Sequence, residues 1–134
     1  MPGSFFDTNV LLYVASDDPA KADQAEELII AGGTISVQVL NEITNVARRK
    51  MGMSWTETRS FLAMIRGLLP VQPLTLDIHE TGLALAERYG LSIYDSMIAA
   101  SALYADCDTL WSEDMQNGIV LDDRLCIVNP FRGA

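Results

Sequence analysis

Short apolar segments alternate with longer amphipathic segments along the whole chain, and this alternation constrains the fold more than any other feature. The segments 4–6, 34–36, 71–74, 109–111 and 125–128 are apolar and have the length of strands. Strands that alternate with helices form a parallel sheet whose two faces are covered by the helices. The sequence therefore predicts an α/β fold, a three-layer α/β/α sandwich with a central, mainly parallel sheet.

Helical spacing of apolar residues predicts six helices between these strands. We expect a short helix after the first strand and further helices over 21–31, 37–51, 55–69, 77–89 and 92–105. Ser54 and Glu57 have the spacing of a capping box at the start of one helix, and Gly90 is placed to end another.

The length and composition are those of one globular domain. The chain has 134 residues, 49% of them hydrophobic and 20% charged, without repeats or a linker, and we expect a single domain over 1–134. Its longest apolar runs are much shorter than the ~20 residues that span a bilayer, so no membrane segment is predicted. The amino terminus lacks the pattern of a secretory signal, and we expect a cytoplasmic protein in which Cys107 and Cys126 are reduced thiols.

The formal net charge of −9 argues against broad electrostatic capture of nucleic acid. A basic protein partner or bound divalent cations would offset the excess charge. The three consecutive cations Arg48, Arg49 and Lys50 have two explanations. They suit the C-terminal end of a helix dipole, and they would also suit contacts to phosphate.

Four acidic residues are predicted to meet at one edge of the sheet. Asp7 and Asp114 follow predicted strands, and the carboxyl ends of parallel strands form the edge where open α/β sheets bind ligands. Glu42 and Asp95 border the apolar faces of their helices, so both point toward the edge of the core.

Each acid also has a structural explanation. Asp7 could cap the helix that follows it, and Asp95 completes a capping-box pattern with Ser92. Glu42 could pair with a neighbouring arginine, and Asp114 could shape a turn.

If the four carboxylates do converge, a cation is needed to hold them together. Close like charges repel by ~4 kcal/mol per pair at an effective dielectric constant near 20. His79 lies on a predicted amphipathic helix and neither cysteine is near one of these acids, so ligation by oxygen alone favours Mg²⁺ or Mn²⁺ over zinc.

Three sequence blocks resemble a known family. The blocks SFFDTNVLLYV, ISVQVLNEITNVARRK and LSIYDSMIAASALYADCDTLWSEDMQNG strongly resemble the successive blocks of PIN-domain ribonucleases, most closely the VapC-type toxins of bacterial toxin–antitoxin pairs. They cover about half of the chain, and their order spans nearly all of it.

The resemblance implies a Mg²⁺- or Mn²⁺-dependent endoribonuclease and assigns its site. The implied catalytic residues are Asp7, Glu42, Asp95 and Asp114; Asp7, Asp95 and Asp114 hold metal, and Glu42 positions or deprotonates the attacking water. The matched blocks add supporting hydrogen bonds from Thr8, Asn9 and Ser112, with Asn117 at the position where many relatives have a further acid or amide. Glu113 is left out, because the side chain next to Asp114 should point elsewhere.

The resemblance also implies partners: an RNA substrate, a cognate antitoxin and a second copy of the chain in a homodimer. Arg48, Arg49 and Lys50, with Lys21 and Arg59, are candidates for a basic rim that contacts RNA or the antitoxin.

Two other functions stay open. A Mg²⁺-dependent phosphohydrolase or receiver-like domain also has an aspartate after its first strand, but the first class uses D-x-D where this chain has D-T-N, and the second needs a lysine on a late strand where this chain has none. A non-catalytic α/β binding module would keep the fold and use the acids as caps.

Overall fold

The computed structural model describes residues 3–132 and contains six α-helices, one turn of 3-10 helix (Tyr13–Ala15) and six strands in that range. The strands are β1 (Gly3–Phe6), β2 (Ile35–Ser36), β3 (Val71–Gln72), β4 (Cys107–Trp111), β5 (Val120–Leu121) and β6 (Leu125–Val128). The helices are α1 (Thr8–Leu12), α2 (Pro19–Ala31), α3 (Val37–Arg49), α4 (Trp55–Leu68), α5 (Leu76–Tyr89) and α6 (Ile93–Tyr104).

The central sheet is mainly parallel, as the alternation predicts. One sheet has the order β1-β4-β6-β5, and β2 pairs with β3 in a second, two-stranded sheet. A single parallel bridge between Phe5 and Thr34 connects the two sheets. Helices pack around these strands in the predicted three-layer arrangement.

Strand β5 is the element that the sequence did not predict. It has two residues and pairs antiparallel with β6, so it is too short for a hydrophobic period to appear. Strand β3 is also shorter than the predicted 71–74, because Pro73 has no backbone N–H to continue a ladder.

The helix ends follow the predicted capping residues. Ser54 and Glu57 exchange both bonds of a capping box, at 2.8 and 3.0 Å. Gly90 ends α5 in the left-handed conformation with φ 71°, which glycine adopts without a side-chain penalty. Helix α3 ends at Arg49, two residues before the predicted end.

Helix α6 lies in the interior of the protein. Eight consecutive residues, 96–103, are buried, so the helix is covered all round rather than on one stripe. Its first turn and its last residue, Tyr104, reach the surface, and Asp95 lies in the first turn. The packing of α6 against the sheet therefore places Asp95 at the edge of the sheet where β1 and β4 end.

None of the helices within residues 3–132 is long and apolar enough to cross a membrane. Both cysteines are free thiols, with Cys107 buried and Cys126 partly buried.

Candidate metal and nucleic-acid site

A cleft of about 590 Å³ opens at the carboxyl edge of the sheet, and all four predicted acids line it. Asp7 follows β1, and its backbone N–H donates to the carbonyl of Trp111 at the end of the neighbouring strand β4. Ser36 ends β2 and caps α3, which carries Glu42 into the cleft. The strand order and the helix caps therefore bring together acids that are far apart in the sequence.

Asp7 is the most buried of the four acids and is held by three hydrogen bonds. Its Oδ1 accepts from the backbone N–H of Thr8 at 2.7 Å, so Asp7 also caps α1 as the structural explanation proposed. Its Oδ2 accepts from the hydroxyl of Ser112 at 2.7 Å and from the amide of Asn9 at 3.1 Å. A carboxylate has about four acceptor positions, which leaves Asp7 with one for a further ligand.

The pKa of Asp7 is raised to about 7. Burial is the main cause, and the nearby charges of Asp95 and Glu42 add to it, while the hydrogen bonds from Ser112 and Thr8 oppose it. A carboxylate in this position is costly to ionise without a cation.

Asp95 has the same electrostatic character in a less buried position. Burial is the largest cause that raises the pKa of Asp95, and the negative charge of Glu42 is the next. A hydrogen bond with the Ser92 side chain lowers this pKa in part. The backbone N–H of Asp95 donates to Ser92 at 3.1 Å, but within residues 3–132 the reciprocal bond of a capping box, from the Ser92 N–H to the Asp95 carboxylate, is not formed. The Asp95 carboxylate is therefore available to the cleft.

Glu42 is held by two uncharged donors instead of an arginine. Thr8 donates its hydroxyl to Oε1 at 2.8 Å, and Gln38 donates its amide to Oε2 at 3.0 Å. Neither donor carries charge, so these contacts orient the Glu42 carboxylate without pairing it with a cation.

Asn9 connects the acids of two strands. Its Nδ2 donates to Oδ2 of Asp7 and to Oδ2 of Asp114, both at 3.1 Å, and its Oδ1 accepts from the backbone N–H of Glu113 at 3.0 Å. The side chain of Glu113 points to Tyr13 and Lys21 and does not line the cleft. The prediction that Asp114, rather than Glu113, belongs to this acidic group agrees with that geometry.

Asn117 and the predicted basic rim lie outside the cleft lining. The side-chain oxygen of Asn117 accepts from the backbone N–H of Asn129 at 2.7 Å. Arg48 donates to the carbonyl of Met53 at 2.7 Å and stacks over Trp55, 4.5 Å from the ring centroid, which are the contacts of a helix end. None of Arg48, Arg49, Lys50, Lys21 and Arg59 lines the cleft.

Sequence reasoning missed a stripe of amide side chains on α3. Gln38, Asn41 and Asn45 line the cleft beside Glu42, at spacings that place them on one helix face. That spacing was visible in the sequence as the polar side of an amphipathic helix. Tyr94, 63% exposed and adjacent to Asp95, lines the same cleft.

The donor set fits a hard divalent cation. The acidic ligands are carboxylate oxygens, the chemistry that Mg²⁺ and Mn²⁺ prefer, and His79 is exposed on α5 and outside the cleft. Within residues 3–132, no three acidic, histidine or cysteine side chains are already close enough to ligate one ion. The Asn9 amide instead bridges Asp7 and Asp114, and ion binding would require side-chain movement toward a common centre.

Comparisons with known proteins agree with this geometry. The family model described as "PIN domain" matches residues 4–116. No curated protein sequence matches the chain.

Similar solved structures come from several bacteria. A toxin–antitoxin complex from Klebsiella pneumoniae has a TM-score of 0.71 at 22% identity, covering 96% of this chain and 98% of that one. The sarcin-ricin loop cleaving toxin VapC20 from Mycobacterium tuberculosis has a TM-score of 0.68 at 20% identity, covering 83% and 91%. FitAcB from Neisseria gonorrhoeae has a TM-score of 0.64 at 16% identity, covering 96% and 99%. At these identities the likeness shows the fold alone.

Proposed function

The chain belongs to the PIN-domain family, and from this membership we propose that it is a Mg²⁺- or Mn²⁺-dependent endoribonuclease, the toxin of a toxin–antitoxin pair. The observation that carries the proposal is the cleft that gathers Asp7, Glu42, Asp95 and Asp114. The toxin–antitoxin complex and the sarcin-ricin loop cleaving toxin among the similar structures support the biological role.

The acids would divide the work of phosphodiester hydrolysis. Asp7, Asp95 and Asp114 would hold the metal, which when bound supplies an activated water and neutralises charge on the phosphate oxygens. Glu42 would orient the attacking water or take its proton, since its two hydrogen-bond donors, Thr8 and Gln38, fix its carboxylate toward the cleft.

The cleft walls suggest how an acidic protein could accept RNA. Asn41 and Asn45 offer neutral hydrogen-bond donors and acceptors, and Tyr94 offers an exposed ring on which a base can stack. We propose that single-stranded RNA is bound mainly by these neutral contacts and by the metal. Arg49 and Lys50, exposed at the end of α3, would add a weaker phosphate contact at most.

An RNA-cleavage assay tests the proposed chemistry. Single-stranded RNA incubated with Mg²⁺ should be cut by the wild type, and cleavage by Asp7→Asn and Asp95→Asn should fall to the level of the wild type in EDTA. Asp77→Asn is the matched control, because Asp77 is an exposed acid on α5 outside the cleft. Cleavage by Asp7→Asn at the wild-type rate would contradict the assignment, and Mn²⁺ binding without cleavage of any RNA would favour a non-catalytic binding module.

An apolar groove between α2 and α4 is the surface that we propose for the antitoxin. It has a volume of about 220 Å³, and its lining includes Ile30, which is 84% exposed, and Leu68, which is 59% exposed. An apolar helix would fit this groove, and basic side chains on the same partner would complement the net charge of −9.

Binding of the protein encoded by the adjacent reading frame tests this surface. Leu68→Asp should weaken the complex, whereas Leu83→Asp, at an exposed leucine outside the groove, should not. Equal affinities for the two variants would contradict the assignment. We also propose that the free toxin is a homodimer, which light scattering of the purified protein checks.

A further inference from the structure

Lys21 occupies a cluster that the proposed chemistry does not use. Its Nζ lies 2.5 Å from Oε2 of Glu113 and 3.0 Å from the hydroxyl of Tyr13, and Tyr13 donates to Oε1 of Glu113 at 2.5 Å. The ammonium group also lies over two rings, 4.6 Å from the centroid of Tyr13 and 5.2 Å from that of Phe131. The side chain of Lys21 is 31% exposed and that of Glu113 is 25% exposed.

This cluster differs from the other two ion pairs among residues 3–132. Arg88 pairs with Asp122 at 3.3 Å, and Arg124 pairs with Asp106 at 3.5 Å, with the two arginine side chains 68% and 56% exposed. Exposed pairs of this kind contribute little to stability. The Lys21–Glu113 pair is shorter and more enclosed, and it holds the residue next to Asp114.

The backbone of Glu113 connects the cluster to the acids. Its N–H donates to Oδ1 of Asn9, and this bond fixes which end of the Asn9 amide faces the cleft. With Oδ1 held, Nδ2 donates to both Asp7 and Asp114. If the amide turned over, its oxygen would face two carboxylates and repel both.

We propose that Lys21 is a positioning residue for the metal site, acting through Glu113 and Asn9. It fixes the segment at Glu113, which orients the Asn9 amide, and Asn9 in turn keeps the carboxylates of Asp7 and Asp114 turned toward each other. The inference rests on the proposed metal dependence. Groups that orient metal ligands typically change metal affinity 10–100-fold when they are removed.

Removing the charge of Lys21 separates positioning from simple electrostatics. Lys21→Met makes the protein more negative, so electrostatics alone would strengthen cation binding. Positioning predicts the opposite sign, a Mn²⁺ dissociation constant about 10-fold higher than that of the wild type. Calorimetric titration of Mn²⁺ at pH 7.5 measures it at a temperature where melting curves show both proteins folded.

Three further variants complete the test. Lys21→Arg keeps the cation and should restore affinity to within about 3-fold, a difference of ~0.7 kcal/mol. Tyr13→Phe removes hydrogen bonds without changing charge and should weaken binding less than Lys21→Met; it also tests the inference if Lys21→Met does not fold. Arg88→Met breaks the exposed pair with Asp122 and should leave Mn²⁺ affinity unchanged.

The metal-free protein gives an independent readout. The Asn9 side-chain amide should give two sharp, well-separated proton resonances in the wild type, which broaden or move toward random-coil positions in Lys21→Met. Unchanged or tighter Mn²⁺ binding together with an unchanged Asn9 signal would overturn the inference while leaving the proposed function intact. A wild type that binds no Mn²⁺ would overturn both.

Discussion

The hydroxyl of Ser112 donates a 2.7 Å hydrogen bond to Oδ2 of Asp7, across two neighbouring parallel strands. The hydroxyl oxygen of Ser112 also accepts a hydrogen bond from the backbone N–H of Met115 at 3.1 Å. Ser112 therefore connects Asp7 to the segment that carries Asp114. Both residues are buried, and the bond opposes the effect of burial on the pKa of Asp7.

Replacing Ser112 by alanine should therefore lower both stability and metal affinity. The variant leaves the Met115 N–H without its partner, which should cost ~1–3 kcal/mol in urea unfolding. It should also raise the pKa of Asp7 further, so that protons compete more strongly and Mn²⁺ binding at pH 7 weakens. Ser101→Ala is the control, because among residues 3–132 the buried Ser101 hydroxyl bonds only to a carbonyl within its own helix, and its loss should leave Mn²⁺ affinity unchanged. Wild-type Mn²⁺ affinity in Ser112→Ala would argue against this account of the bond.

The stability of the metal-free protein should depend on pH through Asp7. Its pKa of about 7 in the folded state is above the value of 3.8 for an unperturbed aspartate, so the folded state holds the proton more tightly than the unfolded state. The contribution of this group is complete below about pH 4 and is lost as the pH rises toward 7, by an amount of order 4 kcal/mol.

Urea unfolding in EDTA between pH 4 and 8 measures this dependence, and the difference between wild type and Asp7→Asn isolates it from the other acids. The wild type should lose stability relative to the variant as the pH rises, and added Mn²⁺ should restore more stability at pH 8 than at pH 5. Parallel curves for the two proteins would contradict the raised pKa.

Tyr94 should contribute to RNA affinity and not to metal binding. Loss of a base-stacking ring typically costs ~1–3 kcal/mol, so Tyr94→Ala should raise the KM for single-stranded RNA by about 10-fold with little change in Mn²⁺ affinity. Tyr94→Phe keeps the ring and should behave as the wild type. Tyr104→Ala is the matched control, since Tyr104 is an exposed tyrosine at the other end of α6 and does not line the cleft. An unchanged KM in Tyr94→Ala would remove Tyr94 from the RNA path.

Gly33 permits the close approach of the chain before β2 to β1. A Cβ there would clash with the ring of Phe6 and come within 2.8 Å of the backbone oxygen of Ser4, neither of which can move freely in the core. Gly33→Ala should destabilise the protein by ~1–3 kcal/mol in urea unfolding. Gly67→Ala on α4 meets nothing within 4 Å and should be neutral or slightly stabilising. Equal stability for both variants would contradict this explanation.

The sequence predicted those features that depend on local chemistry. The apolar runs located β1, β4 and β6, and the capping residues Ser54 and Gly90 located helix ends, because each signal lies within a few residues of the element that it sets. The two-residue strand β5 left no such signal, and its antiparallel pairing depends on the turn before β6.

The acids were located by strand ends and helical phase, but their hydrogen bonds were not predictable. Which end of the Asn9 amide faces the cleft is decided by the N–H of Glu113, 104 residues away in the sequence. The pairing of Lys21 with Glu113 spans 92 residues and depends on how α2 packs beside the end of β4. Contacts of this kind arise from tertiary packing and have no spacing that a single sequence displays.

The most direct measurement is the anomalous diffraction of a crystal grown with Mn²⁺. We expect a manganese peak in the cleft, with carboxylate oxygens of Asp7 and of Asp95 or Asp114 at about 2.0–2.3 Å, and no peak in Asp7→Asn crystals grown under the same conditions. A cleft without manganese at saturating Mn²⁺ would contradict the metal-dependent nuclease account.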